Sequence, residues 1–145
     1  MFKHILIPTD ASGLSRIAVE RGLDMAKAMD ARVTVLHVQT PFHVFAADTA
    51  AVTDTRPEYE RHTKAKAKEI TGAVETVAVK KGVKCGVTVV TAEHPYEEII
   101  STADAQGCDL IVMASHGRKG VKGLLLGSET QKVLTHSSVP VLVYR

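Results

Sequence analysis

Apolar residues in this chain fall into two kinds of stretch, short continuous runs and longer stretches with helical spacing. Continuous runs rich in β-branched residues occur at 5–7, 33–38, 110–113 and 139–145. Such runs are typical of strands buried on both faces of a parallel sheet. Apolar residues recur at helical spacing over 14–29, where Ser12 or Ser15 can cap, and over 57–81. The pattern therefore predicts strands that alternate with helices.

A weaker run at 85–90 alternates apolar and small or polar residues, which indicates a less buried strand at an edge of the sheet. His94 and Pro95 begin a short predicted helix that ends near Gly107. We expect an α/β fold of one domain over 1–145, with an open five-stranded parallel sheet in the order 3-2-1-4-5 and helices on both faces. In that order the loops after strands 1 and 4 face one crevice, which places Asp10 opposite the loop after 113.

Residues 39–56 contain Pro41, several Ala and Thr residues and no clear period. We interpret this segment as a long loop. Pro57 suits the first turn of the helix that follows, and Gly82 is expected to end it.

The loop after the strand at 110–113 is rich in glycine and in basic residues, with Gly117, Gly120, Gly123 and Gly127 beside Arg118, Lys119 and Lys122. Ser128 and Gln131 fit a capping box, in which the Ser128 hydroxyl accepts from the Gln131 amide. Free amides at a helix N-terminus attract anions, and glycines let the backbone approach them closely. We interpret the loop as a candidate polyphosphate site. The alternative is a cap, a set of turns and solvated cations with no ligand.

The final run at 139–145 contains Pro140, which confines it to an edge of the sheet or to the start of a strand. An exposed apolar edge invites pairing with a second copy. We expect a homodimer formed through residues 139–145. The alternative is a monomer whose edge is protected by Pro140 and Arg145.

Composition excludes several classes of protein. A net charge of +2, 4% aromatic residues and no Trp argue against nucleic-acid and membrane partners. Cys85 and Cys108 have no metal-binding spacing and are expected to be reduced thiols. The start of the chain shows no secretory signal, so we expect a soluble cytoplasmic protein.

No catalytic constellation is evident in the sequence. It has neither a P-loop nor a dinucleotide fingerprint after the first strand, and no nucleophile and base at a readable spacing. We expect no enzyme, or at most slow ATP hydrolysis.

Four motifs carry a resemblance to a known family over the whole chain. They are the turn Pro8-Thr9-Asp10 with Ser12, the strand end His37-Val38, the helix start Pro95 to Ile99, and a loop with the spacing Gly-x2-Gly-x9-Gly-Ser/Thr, here Ala114, Gly117, Gly127 and Ser128. In these motifs the chain resembles the universal stress proteins. Ala114 departs from the first glycine of the signature, and we expect it to weaken nucleotide binding without abolishing it.

The resemblance implies a Rossmann-like fold of the adenine nucleotide alpha hydrolase kind that binds ATP or another adenine nucleotide. Adenine would lie near Val38 and the Pro8-Thr9 turn, with Mg²⁺ and the ribose near Asp10. The implied nucleotide site consists of Pro8, Thr9, Asp10, Val38, Met113, Ala114, His116, Gly117, Arg118, Gly120, Gly127, Ser128, Glu129 and Thr130.

The function that the resemblance implies is a nucleotide-binding regulatory homodimer of the stress response. The alternatives are a UspA-like interaction module that binds no nucleotide, and a slow ATP phosphohydrolase. Single residues leave other roles open. Asp10 also suits a helix cap, His116 a structural hydrogen bond, and His37 a place in the core.

Overall fold

The computed structural model describes residues 1–48, 53–117 and 125–145. Its elements are β1 (His4–Pro8), α1 (Gly13–Met29), β2 (Arg32–Gln39), α2 (Phe42–Asp48), α3 (Arg56–Lys81), β3 (Cys85–Thr91), α4 (Pro95–Gln106), β4 (Leu110–Ala114), α5 (Ser128–His136) and β5 (Val141–Tyr144). The strands form one sheet in the order β3-β2-β1-β4-β5, and every pairing is parallel. The predicted fold class and strand order are confirmed.

The core consists of two clusters, one on each face of the sheet. On one face, Ile7 and Val35 pack with Leu23 of α1 and Val74 of α3. On the other face, the cluster contains Leu6, Leu36, Ile111, Ile99 of α4 and Val133 of α5. Because alternate residues of a strand point to opposite faces, strands with apolar residues at every position require helices on both sides.

The helices begin and end close to the predicted residues. Ser12 caps α1, with its hydroxyl accepting from the Ser15 amide at 3.3 Å. Gly82 and Gly107 end α3 and α4 in left-handed conformations with φ of 71° and 63°. A glycine adopts this conformation without steric cost, which is why these two ends were readable from the sequence.

The prediction of a continuous loop over 39–56 is wrong for residues 42–48, which form α2. Phe45 stacks on Tyr59 of α3 with ring centroids 4.5 Å apart, and Phe42 is tilted against the same ring at 5.4 Å. Two rings three residues apart therefore hold a short helix against α3. Residues 49–52 of the predicted loop lie outside the described residues.

β3 and β5 are the two edges of the sheet, as predicted. β5 is shorter than the predicted run over 139–145, because Ser137 and Val139 form a local turn in which the Ser137 hydroxyl accepts from the Val139 amide at 3.0 Å. Pro140 precedes β5, and its carbonyl accepts from the Ile111 amide at 2.9 Å. In the part of the chain that the structure describes, no helix is long and apolar enough to span a membrane.

Candidate nucleotide-binding crevice

The carboxyl ends of β1 and β4 are neighbours in the sheet, and the residues that follow them meet there. A Cβ atom placed on Gly117 would lie 2.5 Å from Oδ2 of Asp10. The predicted placement of Asp10 opposite the glycine loop is therefore confirmed. This is the position at which open α/β sheets bind ligands.

The turn after β1 is held in place by a set of short hydrogen bonds. The Thr9 amide donates to the Leu36 carbonyl at 2.9 Å, and the Thr9 and Ser15 hydroxyls share a hydrogen bond of 3.1 Å. Oδ1 of Asp10 accepts from the Ser12 amide at 2.9 Å. The Asp10 side chain therefore stabilises the turn through the amide of Ser12, two residues later. The residue that caps α1 is Ser12.

Ala11, in the same turn, adopts a left-handed conformation with φ of 62°. For a residue with a Cβ this costs about 1 kcal/mol. The Ala11 amide donates to the Thr9 hydroxyl at 3.2 Å, which favours the strained turn. Nothing in the sequence marks Ala11, because alanine has no preference for this conformation. Strain of this kind is common at binding sites.

The end of β2 forms the wall beside this turn. His37 is buried, and its Nδ1 donates to the Thr9 carbonyl at 2.9 Å, since a carbonyl can only accept. The interpretation of His37 as a core histidine is confirmed. Pro8 and Val38, both half-buried, lie towards the carboxyl ends of the neighbouring strands β1 and β2.

Met113 and Ala114 end β4 and are both buried. The Met113 side chain packs in the core cluster with Leu36 and Val133. Ala11 and Asp30 are the non-glycine residues with positive φ among the described residues. Ala114 thus keeps ordinary strand backbone, and its departure from the signature glycine causes no backbone strain.

The capping box predicted at the start of α5 is wrong. Gly127 is the N-cap, and the Gln131 amide donates to the Gly127 carbonyl at 3.0 Å, while the Gln131 side chain donates to the Leu126 carbonyl at 3.2 Å. The reason lies in the contact with β4. A Cβ on Gly127 would lie 3.0 Å from the Ser115 carbonyl oxygen, to which the Gly127 amide donates at 2.8 Å.

Thr130 and Glu129 use their side chains to hold α5 in place. The buried Thr130 hydroxyl lies 3.0 Å from the Ala114 carbonyl and 3.2 Å from the Ser115 carbonyl. Oε2 of Glu129 accepts from the Tyr96 amide in the first turn of α4 at 2.8 Å. The groups of α5 that could bind an anion are therefore its first-turn amides, which have no partner within the helix.

Two of the remaining predicted residues lie in the described part of the chain, and two lie outside it. His116 is half-buried and its Nδ1 lies 3.0 Å from the Ser115 hydroxyl, which fits a structural hydrogen bond. Ser128 is exposed as the first residue of α5. Arg118 and Gly120 lie outside the described residues.

A metal at this site would take few ligands from the protein. Over residues 1–48, 53–117 and 125–145, no three His, Cys, Asp or Glu side chains are grouped to hold an ion. Mg²⁺ commonly binds through one or two carboxylates, with waters and substrate phosphates completing an octahedron. The Asp10 carboxylate fits that description.

Comparison with known proteins agrees with this fold. A profile of the universal stress protein family matches residues 1–145, so the chain belongs to that family. It is 32% identical over 160 residues to universal stress protein MJ0577 of Methanocaldococcus jannaschii, covering 100% of this chain and 96% of the relative. The solved structure of MJ0577 superposes with a TM-score of 0.79 over 99% of this chain and 95% of that one.

Two more distant structures share the fold and were solved with nucleotides. A universal stress protein of Archaeoglobus fulgidus in complex with dAMP has a TM-score of 0.68 at 17% identity, covering 100% of this chain and 98% of that one. A universal stress protein in complex with cAMP has a TM-score of 0.69 at 22% identity, covering 99% and 97%.

Proposed function

We propose that this chain is a regulatory protein that binds ATP, or another adenine nucleotide, with Mg²⁺ in the crevice between β1 and β4. The observation that supports this most directly is the meeting of Asp10 with Gly117 beside the first turn of α5. It puts a carboxylate, a glycine backbone and a helix N-terminus around one space. Two structural neighbours in complex with dAMP and cAMP support an adenine nucleotide as the ligand.

Val38 is the residue proposed to read the base. On the side of β2 that faces β1, the Arg32 amide donates to the Lys3 carbonyl, and the Leu36 carbonyl accepts from the Thr9 amide. Backbone groups of alternate residues point the same way along a strand, so those of Val38 point past the end of β1. An adenine edge placed there would find one donor and one acceptor on Val38.

The phosphates would lie against the amides of Gly117 and of the α5 first turn. The helix dipole contributes partial positive charge at that end. Asp10 would hold Mg²⁺ together with phosphate oxygens and water. Because Asp10 also braces the β1 turn, bound metal and nucleotide would connect the loops that follow two strands. A change in those loops is what a protein partner would recognise.

The second part of the proposal is a homodimer formed by antiparallel pairing of β5 edges. Leu142 on β5 is 36% exposed, and an apolar edge strand is open to pairing. Leu142→Lys should give a monomer in sedimentation, because lysine on an edge opposes pairing. Leu134→Lys is the matched control, since Leu134 on α5 is 42% exposed. A dimer that survives Leu142→Lys would contradict this interface.

The two free cysteines, Cys85 and Cys108, support the further proposal that the protein works in the cytoplasm, where thiols stay reduced.

The experiment that tests nucleotide binding begins with the purified protein, which is denatured and examined for released adenine nucleotide. Calorimetric titration with ATP follows, with and without Mg²⁺. Asp10→Asn keeps an oxygen for the Ser12 amide but removes the charge, so it should weaken binding and remove its dependence on Mg²⁺. Asp104→Asn, on the exposed side of α4, is the control. No released nucleotide and no binding at millimolar ATP would contradict the proposal.

A further inference from the structure

A recess lies at the amino ends of the strands, where β1, β2 and β3 begin, at the opposite end of the sheet from the crevice. Its volume is about 440 Å³, and its lining includes His4, Arg32, Thr34, Lys84, Gly86 and Gln106. Pockets that hold small metabolites span about 300–1,000 Å³. The crevice beside Asp10 lies at the carboxyl ends of β1 and β4, so the two sites share no residue.

The floor of this recess is polar and fixed. The Thr34 hydroxyl lies 2.8 Å from Nε2 of His4 and 2.8 Å from Oε1 of Gln106. Nδ1 of His4 donates to the Gln106 carbonyl at 3.1 Å. His4 and Thr34 are 6% and 5% exposed, so these groups are held by burial as well as by hydrogen bonds. A ligand would therefore meet a preorganised polar surface.

Two cations face each other at the rim. Val33 pairs with Cys85, so Arg32 at the start of β2 and Lys84 just before β3 each precede a paired residue, and both line the recess. Like charges on one rim repel each other. Among the described residues, neither side chain forms an ion pair with a carboxylate. The nearby Asp109 carboxylate is occupied by the Lys3 and His4 amides.

Gly86 leaves the recess open between these groups. It is paired with Thr34 in the sheet, and a Cβ placed on it would meet no atom within 4 Å. Glycine inside a strand weakens the strand and often marks a place where a ligand approaches the backbone. A β-branched residue would suit the strand better and has room here. The sequence thus keeps the recess empty where a side chain would fit.

We propose that this recess binds a small organic anion through a carboxylate or phosphate group. The Arg32 guanidinium provides two parallel donors for such a group, and Lys84 provides a second positive charge. The bound anion would remove the repulsion between the two cations. The uncharged part of the ligand would lie over Gly86 and against Thr34.

The test is an NMR titration of the full chain, with malonate and inorganic phosphate as separate probes. Saturable shifts of the Gly86 amide are expected at millimolar probe. Arg32→Gln with Lys84→Gln should weaken the response at least tenfold, as expected for the loss of a charge-assisted hydrogen bond. Arg61→Gln with Lys68→Gln removes the same charge from exposed positions of α3 and should leave it unchanged.

Gly86→Val provides an independent check, because its side chain should fill the recess and prevent binding while the sheet stays intact. Absence of a saturable shift at Gly86 up to about 50 mM of both probes, which corresponds to binding weaker than about 2 kcal/mol, would overturn the proposal. An equal response in the Arg32 and Lys84 double variant would do the same. Phosphate bound near Asp10 would shift Gly117 instead, so the two sites are distinguishable.

Discussion

The carboxylate of Asp10 occupies the space where a side chain on Gly117 would begin. The distance of 2.5 Å between Oδ2 and a Cβ at residue 117 is shorter than any stable contact between these atoms. Glycine at 117 therefore lets the loop after β4 approach the turn after β1 while the Asp10 carboxylate keeps its position. This contact closes one side of the crevice and connects its two loops.

Gly117→Ala tests that contact. The new methyl group should displace the Asp10 carboxylate, and we expect ATP affinity to fall about tenfold or more, as when a charge-assisted contact is lost. Calorimetry with ATP and Mg²⁺ measures the change. Gly72→Ala is the control, because a Cβ at Gly72 in α3 would meet no atom within 4 Å. Affinity unchanged by Gly117→Ala would mean that Asp10 does not contact the nucleotide.

Thr130→Val tests how α5 is attached to β4. Thr130 is 3% exposed, and its hydroxyl lies within hydrogen-bond distance of the carbonyl groups of Ala114 and Ser115. Its removal should lower the free energy of unfolding by about 1–3 kcal/mol, because the acceptors stay buried. Thr135→Val is the matched control, because the Thr135 hydroxyl donates to the Gln131 carbonyl on an exposed face of the same helix. Urea unfolding in which both variants lose equal stability would contradict this role.

The sheet could be predicted from the sequence because its signals are local and strong. Continuous apolar runs read as buried strands, and Gly82 and Gly107 end helices in the one conformation that favours glycine. Asp10 opposite the glycine loop then followed from strand order alone. These predictions depend on local sequence and strand order and do not require knowledge of side-chain contacts.

The errors came from contacts between distant residues. Ser128 has the right neighbours for a capping box, but packing of Gly127 on Ser115 moves the cap one residue earlier. α2 is too short to show a period, and what holds it is the ring of Tyr59 in the next helix. Such tertiary effects override local preference.

Ala114→Gly separates the two main functional hypotheses. Ala114 lies at the end of β4 in ordinary strand backbone, so glycine there should cost about 0.5–1 kcal/mol of stability. If the Ala114 methyl group crowds the nucleotide, the same change should tighten ATP binding in calorimetry. Binding that is absent before and after the change would favour an interaction module that takes no nucleotide.

The two thiols should react slowly. Burial raises the pKa of both Cys85 and Cys108 to about 11. At pH 7 the thiolate fraction is then about 10⁻⁴, against a few per cent for a free cysteine. Alkylation by iodoacetamide should be at least about a hundredfold slower than that of free cysteine and should keep rising with pH beyond pH 9. A rate equal to that of free cysteine, or one that levels off near pH 8, would contradict these environments.

His4 should make stability depend on pH. Burial, followed by the charge of Arg32, lowers the pKa of His4 below its usual value. The His4 imidazole then binds a proton more readily in the unfolded chain than in the folded one. Its contribution to stability is therefore present above about pH 6.5 and is lost as the pH falls towards the pKa of the folded state. Urea unfolding between pH 7.5 and 5 should show this loss.

His4→Gln should reduce that loss, while His62→Gln on the exposed side of α3 should not. Burial raises the pKa of the Asp109 carboxyl, but hydrogen bonds from the His4 and Lys3 amides lower that pKa overall. Asp109 therefore titrates below the range of pH 7.5 to 5. An unchanged pH profile in His4→Gln would contradict the assignment to His4.

The most direct test of the nucleotide proposal is an amide NMR titration of the full chain with ATP and Mg²⁺. We expect saturable shifts at Ser12, Gly117, Gly127, Ser128 and Thr130, with little change at Gly82 after α3 or at Gly86 in β3. Shifts confined to other surfaces, or no shift at millimolar nucleotide, would contradict the claim that the amides between β4 and α5 bind the phosphates.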